Sequence, residues 1–177
     1  IDPGFEYRDV TYVSLESVFD GYSPAQAAEM RARLVSRLDA IPGVEAVASA
    51  LQEPLGDDEA PIAIRLPGET EAQSRTGELN IVSENYFSVL QLPIVRGRAF
   101  TQDEVRAQGP GPRPAILTET TARHLWQDTD PIGRMLLAGA DPLVVVGISA
   151  DAQVTSLGAL DPYFVYVPGE GSALFVK

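Results

Sequence analysis

The string Asp130-Pro131-Ile132-Gly133-Arg134 constrains this chain more than any other stretch. Asp130 can accept turn hydrogen bonds, Pro131 fixes its own φ, Ile132 can plug into a core, and Gly133 can take positive φ. Upstream, Thr118 caps a short helix that ends at Trp126. Downstream, strands are expected around Met135–Leu137 and Leu143–Ala150, joined by the turn Gly139-Ala140-Asp141-Pro142. Helix, tight turn, strand, hairpin and strand follow one another within a short span. The string is purely structural, and it points to a shaped, non-enzymatic module.

Before this region the periodicity changes twice. Asp9 to Phe19 is rich in β-formers and reads as a strand. Ser23-Pro24-Ala25-Gln26 is a helix start, with Ser23 as cap, Pro24 at the first position and Gln26 closing a capping box. Ala27, Met30, Leu34, Leu38 and Ile41 then form one apolar stripe, and Pro42-Gly43 stops the helix. Val44 to Leu51 is a second strand, so the opening is a βαβ unit with a crossover long enough for parallel pairing.

The middle is made of short elements. Strands are expected at Ile62–Leu66, Gly77–Val82, Ala115–Leu117, Tyr163–Val167 and Ala173–Lys177. Ser83 can cap a short helix over Glu84–Leu90, and Thr101 with Glu104 makes a second capping box. The whole reads as α+β, an insertion following a βαβ start.

Composition narrows the function classes. Apolar residues make up 45% of 177, enough for a buried core. Acidic side chains number 25 and basic ones 13, a formal charge of -12. Nucleic-acid binding depends on neutralising phosphates with Lys and Arg, so this balance argues against it. There is no cysteine, which excludes disulfides, thiol catalysis and zinc–thiolate sites. No run approaches the ~20 apolar residues of a membrane span. The abrupt opening Ile1-Asp2-Pro3-Gly4-Phe5 and the apolar ending Leu174-Phe175-Val176-Lys177 suggest a piece of a longer chain. Residues after about 172 are then expected to pair poorly, or to use another chain's edge.

A search for chemistry assigns no catalytic residue, no cofactor site and no metal ligand. His124, the only histidine, is expected to face solvent mid-helix. Ser149 in Gly147-Ile148-Ser149-Ala150-Asp151 lacks the second glycine of a nucleophile elbow and reads as the end of a buried strand. Asp57-Asp58-Glu59 lacks the alternating ligand spacing of a calcium loop. Gly169-Glu170-Gly171-Ser172 is followed by a strand where a phosphate cradle needs a helix. Glu119, Asp128, Asp130, Asp141 and Asp151 show no pKa-tuning partner that would make a glycosidase pair. Arg96-Gly97-Arg98 reads as a bulge or turn whose arginines pair with local carboxylates, and Trp126, Tyr86 and Phe87 read as core.

Several strings in order resemble the periplasmic core domain of MacB-like and FtsX-like ABC transporter permeases. They are Pro42-Gly43-Val44-Glu45-Ala46-Val47, Tyr86-Phe87, Leu92-Pro93, Arg96 to Thr101, Leu125-Trp126, Asp130 to Arg134, Val145 to Ile148 with Asp151, and Tyr166-Val167-Pro168. The resemblance covers roughly Gly4 to Lys177. It implies a porter-like βαβ half, residues 1–52 and 172–177, with an inserted Sabre-like lobe over 53–171. It implies an extracytoplasmic position between membrane helices, with those helices and an ATP-binding subunit or domain lying outside this chain. An adaptor protein or exported substrate would be a further partner, and a homodimer stays open. The Gly-x-x-x-x-Gly-Lys-Ser/Thr loop is absent, so no ATP binding is expected of this chain. The alternative reading is a stand-alone extracellular ligand-binding or adhesion domain.

Overall fold

The computed structural model describes residues 3–6, 8–15, 20–56, 60–107, 109–153 and 160–177. The strands are β1 (Thr11–Ser14), β2 (Val47–Ala50), β3 (Pro61–Arg65), β4 (Arg75–Val82), β5 (Ile94–Gly97), β6 (Arg113–Thr118), β7 (Met135–Ala138), β8 (Asp141–Ser149), β9 (Phe164–Pro168) and β10 (Ala173–Val176). The helices are α1 (Pro24–Asp39), α2 (Tyr86–Val89), α3 (Gln102–Arg106) and α4 (Glu119–Trp126).

Local chemistry sets the helix starts. At α1, Gln26 N donates to Ser23 Oγ at 3.3 Å and Ser23 N donates to Gln26 Oε1 at 3.0 Å. The capping box at Thr101 and Glu104 also forms, and Thr118 Oγ1 accepts from Thr121 N at 3.2 Å. Ser83 departs from expectation. The helix after it begins at Tyr86 with Asn85 as cap, and Ser83 Oγ instead accepts from Ser49 N at 2.8 Å. A hydroxyl beside a strand end is drawn to whichever backbone N–H is unpaired, and here that group lies across the fold. β5 at Ile94–Gly97 is a strand for which the sequence pattern carries little signal, because Pro93 and Gly97 interrupt the alternation.

The opening βαβ unit is split. β1 and β2 run in the same direction, and β10 lies between them, antiparallel to both. The registers run from Thr11↔Val176 to Ser14↔Ala173 on one side and from Ala173↔Ala50 to Val176↔Val47 on the other. Direct pairing of the two crossover strands is therefore corrected. The expectation of poor pairing after residue 172 is also overturned, since all four residues of β10 have a partner on each edge. The returning strand enters a gap where both neighbours present unpaired N–H and C=O groups, which must find partners when buried. Among the described residues, β1 pairs only with β10.

Six strands close into a ring in the order β4-β3-β7-β8-β6-β9 and back to β4. The β6–β8 and β4–β9 pairs are parallel and the other four are antiparallel. Successive residues of a strand face opposite ways. On β9, Val165 and Val167 join a core inside the ring with Ile64, Leu117, Leu136, Leu143 and Val145. Phe164 and Tyr166 face the other way, into a second core with Phe87, Val89, Phe100 and Phe175. β6 divides likewise, Leu117 to the first core and Ile116 to the second. One wall of strands thus serves both the ring and the β1-β10-β2 sheet.

The ring and the split sheet also meet at β2 and β4. Ala50 pairs with Val82, and Leu51 N donates to Ile81 O at 2.8 Å. The buried side chain of Asn80 closes a reciprocal pair with the Gln52 backbone, at 3.0 Å from Gln52 N and 3.1 Å to Gln52 O. Helix α1 lies at the periphery. It has no buried residue, and Met30 on its apolar stripe is 36% exposed.

Candidate interaction surface

The Asp130–Arg134 string and the Arg96–Arg98 string meet at one corner. Asp130 Oδ1 accepts from Ile132 N at 3.0 Å and lies 3.0 Å from Arg96 Nη2. Arg134 Nε donates to Asp130 O at 2.8 Å. Gly133 N donates to Val145 O at 2.8 Å, tying the turn to β8. Pro131 is buried, and Ile132, half-buried, packs against the ring core as expected of it. Gly97 has φ +71, and a Cβ there would meet Val146 O and, at 2.9 Å, Ile132 Cδ1. Arg98 forms a two-pronged pair with Glu104 at 2.8 and 2.7 Å. Each arginine of the small basic string therefore has a carboxylate partner.

Gly133 sits at φ +80 with open space around its missing Cβ. The cost of a side chain is then conformational alone. Gly133→Val should destabilise by about 1–2 kcal/mol, because a β-branched residue resists the left-handed region. A urea midpoint equal to that of the parent chain would show that the turn adapts.

The remaining candidates fall into structural places. His124 is exposed, its Nδ1 lies 3.0 Å from Pro162 O, and its ring lies 5.5 Å from that of Tyr163. Ser149 is fully buried at the end of β8. Asp151 accepts from Thr120 N at 2.9 Å and Thr120 Oγ1 at 2.7 Å. Gly171 is pressed against the backbone of Ala50 and Leu51. Tyr86 and Phe87 are core, and Trp126 packs at the edge of the ring core. Among the described residues no three His, Cys, Asp or Glu side chains form a metal cluster. Asp57, Asp58 and Glu59 lie outside the described residues.

One ion pair was not legible in the sequence. At the β3–β4 turn, Arg75 grips Glu69 with two bonds of 2.7 and 2.8 Å, and Leu66 N donates to the same carboxylate at 2.6 Å. The Arg75 bonds first, then the Leu66 amide, lower the Glu69 carboxyl from 4.5 to about 2. A carboxylate depressed in the folded state adds stability above its unfolded pKa and loses it as pH falls through the folded one. Stability should therefore fall between pH 4.5 and about 2. Urea midpoints over that window should fall less steeply for Glu69→Gln, and parallel curves would remove Glu69 from the acid response.

A cleft lies between α1 and the α3–β6 segment. Arg31, Arg106 and Arg113 line a cleft of 730 Å³ there, with Pro168 and Gly169. It adjoins a second hollow of 350 Å³ between α1 and β2, reaching Ser49, Asn85 and Gln102. Sequence reasoning missed this arginine set because its members stand far apart along the chain. An excess of arginine facing one cleft is visible only after folding.

A ring of strands built onto a split βαβ sheet defines an α+β domain of the kind found in the extracytoplasmic regions of ABC permeases. The chain belongs to the MacB-like periplasmic core domain family, whose model matches residues 3–176. It is 33% identical over 101 residues to the macrolide export ATP-binding/permease protein MacB 1/2 of Paracoccus denitrificans, covering 57% of this chain and 14% of that protein. It is 30% identical over 90 residues to the ABC transporter permease YknZ of Bacillus subtilis, covering 51% and 21%. The chain thus spans a small part of the length of these relatives. Its fold matches the periplasmic region of MacB from Actinobacillus actinomycetemcomitans with a TM-score of 0.65 at 16% identity, covering 98% of this chain and 76% of that one. It matches the extracellular domain of YknZ with a TM-score of 0.58 at 20% identity, covering 95% and 81%.

Proposed function

We propose that this chain passes ATP-driven motion of a permease's membrane helices to partner proteins or substrate on the far side of the membrane. The shared strand wall carries this reading. Phe164 and Tyr166 pack one core while Val165 and Val167 pack the other, so ring and sheet cannot move apart without opening both. In this reading residues 1–52 and 172–177 form a porter-like part and 53–171 an inserted lobe. No helix among the described residues is long and apolar enough to cross a membrane; the reading assigns the helices and the ATPase to polypeptide outside this sequence. The named relatives are permeases, one of them also an ATP-binding protein.

Spin labels in a full permease carrying this domain test the proposal. One pair, on the exposed positions Arg37 and Ala140, reports within the domain. A second pair joins Ala140 to a membrane helix. ATP with vanadate should leave the first distance unchanged and shift the second. A shift within the first pair, or none in the second, overturns rigid transmission.

A further inference from the structure

We infer that the cleft between α1 and the α3–β6 segment is a docking site for an extended, carboxylate-rich segment of a partner protein. Three arginines line it in a chain of net charge -12. The one carboxylate in its lining, Glu170, is paired with Arg31 at 3.4 Å. That contact fixes Arg31, whose side chain is only 15% exposed. Arg113 Nη2 donates to Pro168 O at 2.7 Å, using one of the five donors a guanidinium carries. The side chain of Arg106, the last residue of α3, makes no hydrogen bond or ion pair with the described residues. The cleft therefore reverses the sign of the protein locally, with planar forks suited to two-pronged recognition of carboxylates.

The remaining lining fits a peptide strand. Ala28 and Gly169 present little side chain, which leaves width for a backbone, and the arginines come from separate elements along the cleft. A membrane surface fits poorly. Peripheral binding needs a protruding face with long apolar or aromatic side chains to insert, and this recessed lining has none. The rest of the acidic surface repels a polyanion, so binding should be confined to the cleft.

The inference gives the chemistry of the partner contact in the transporter reading and rests on that reading for its setting. Its test needs no transporter, so either can fail alone. Fluorescence anisotropy with the 177-residue chain would use a fluorescein-labelled Glu-Gly repeat peptide and its Gln-Gly counterpart. The Glu peptide should bind, and the Gln peptide should bind at least about tenfold more weakly. Arg106→Gln with Arg113→Gln should weaken the Glu peptide about tenfold or more, and Arg33→Gln with Arg37→Gln, outside the cleft, less than about twofold. Arg106→Glu is the second variant, since the Arg106 side chain makes no hydrogen bond or ion pair with the described residues. Equal binding of both peptides, or equal loss in both double variants, overturns the inference. So does binding of inorganic phosphate or phosphatidylglycerol vesicles through these arginines without binding of the Glu peptide.

Discussion

Gly171→Ala should lower the melting temperature by on the order of 10 °C, through a loss of about 3–5 kcal/mol. Gly171 is buried where the chain leaves β9 for β10, and it crosses directly over β2. A Cβ at this position would meet the carbonyl carbon and oxygen of Ala50 and the nitrogen of Leu51. All three are backbone atoms, so no side chain can rotate away to make room. The same crossing holds Gly171 N 3.3 Å from Ser49 Oγ. Relief would require β2 to shift, and β2 carries the pairings to β10 and β4. Circular dichroism during heating reads the effect. A melting temperature within a degree or two of the parent would mean that the crossing relaxes at small cost.

Tyr166→Ala should cost about 3–5 kcal/mol, read as a shifted urea midpoint. The ring is fully buried, at centroid distances of 4.9 Å from Phe164, 5.1 Å from Phe87 and 5.8 Å from Tyr86. Truncation would open a cavity in the wall that the two cores share. The hydroxyl behaves differently. It is buried with no hydrogen-bond partner among the described residues, and burial holds the phenol well above its ordinary pKa. An unpaired buried hydroxyl costs about 1–3 kcal/mol, so Tyr166→Phe should be neutral or modestly stabilising. A Phe variant as damaged as the Ala variant would assign the loss to the hydroxyl and sink the packing account.

What could be read from the sequence was local. The cap at Ser23, the box at Thr101 and Glu104, and the positive φ of Gly133 depend on residues within a few positions of one another. Strand existence was also legible, since β8 and β9 are short runs of β-branched, aromatic and other apolar residues. Partner choice was not. Nothing near Ala173 says that it will lie between β1 and β2, and nothing near Glu78 says that β4 will meet β9 in parallel. Those pairings depend on closing long loops, and a strand's own pattern fixes its face but leaves its neighbour open. Ser83 shows the same limit at one atom, because its hydroxyl had a local use and a distant one. The arginines of the cleft were invisible for a simpler reason. Each looks like a solvated charge until Arg31, Arg106 and Arg113 are brought to one place.

The pairing of Thr11 with Val176 has a mechanical meaning. β1 begins at Thr11 and β10 ends at Val176, side by side and antiparallel. Forces that pull these two points apart act across the ladder rather than along it. Such a load opens hydrogen bonds one after another, like a zipper, instead of shearing them together. A moderate pull would therefore be absorbed first at Thr11 and Val176, while the ring of strands beyond keeps its shape.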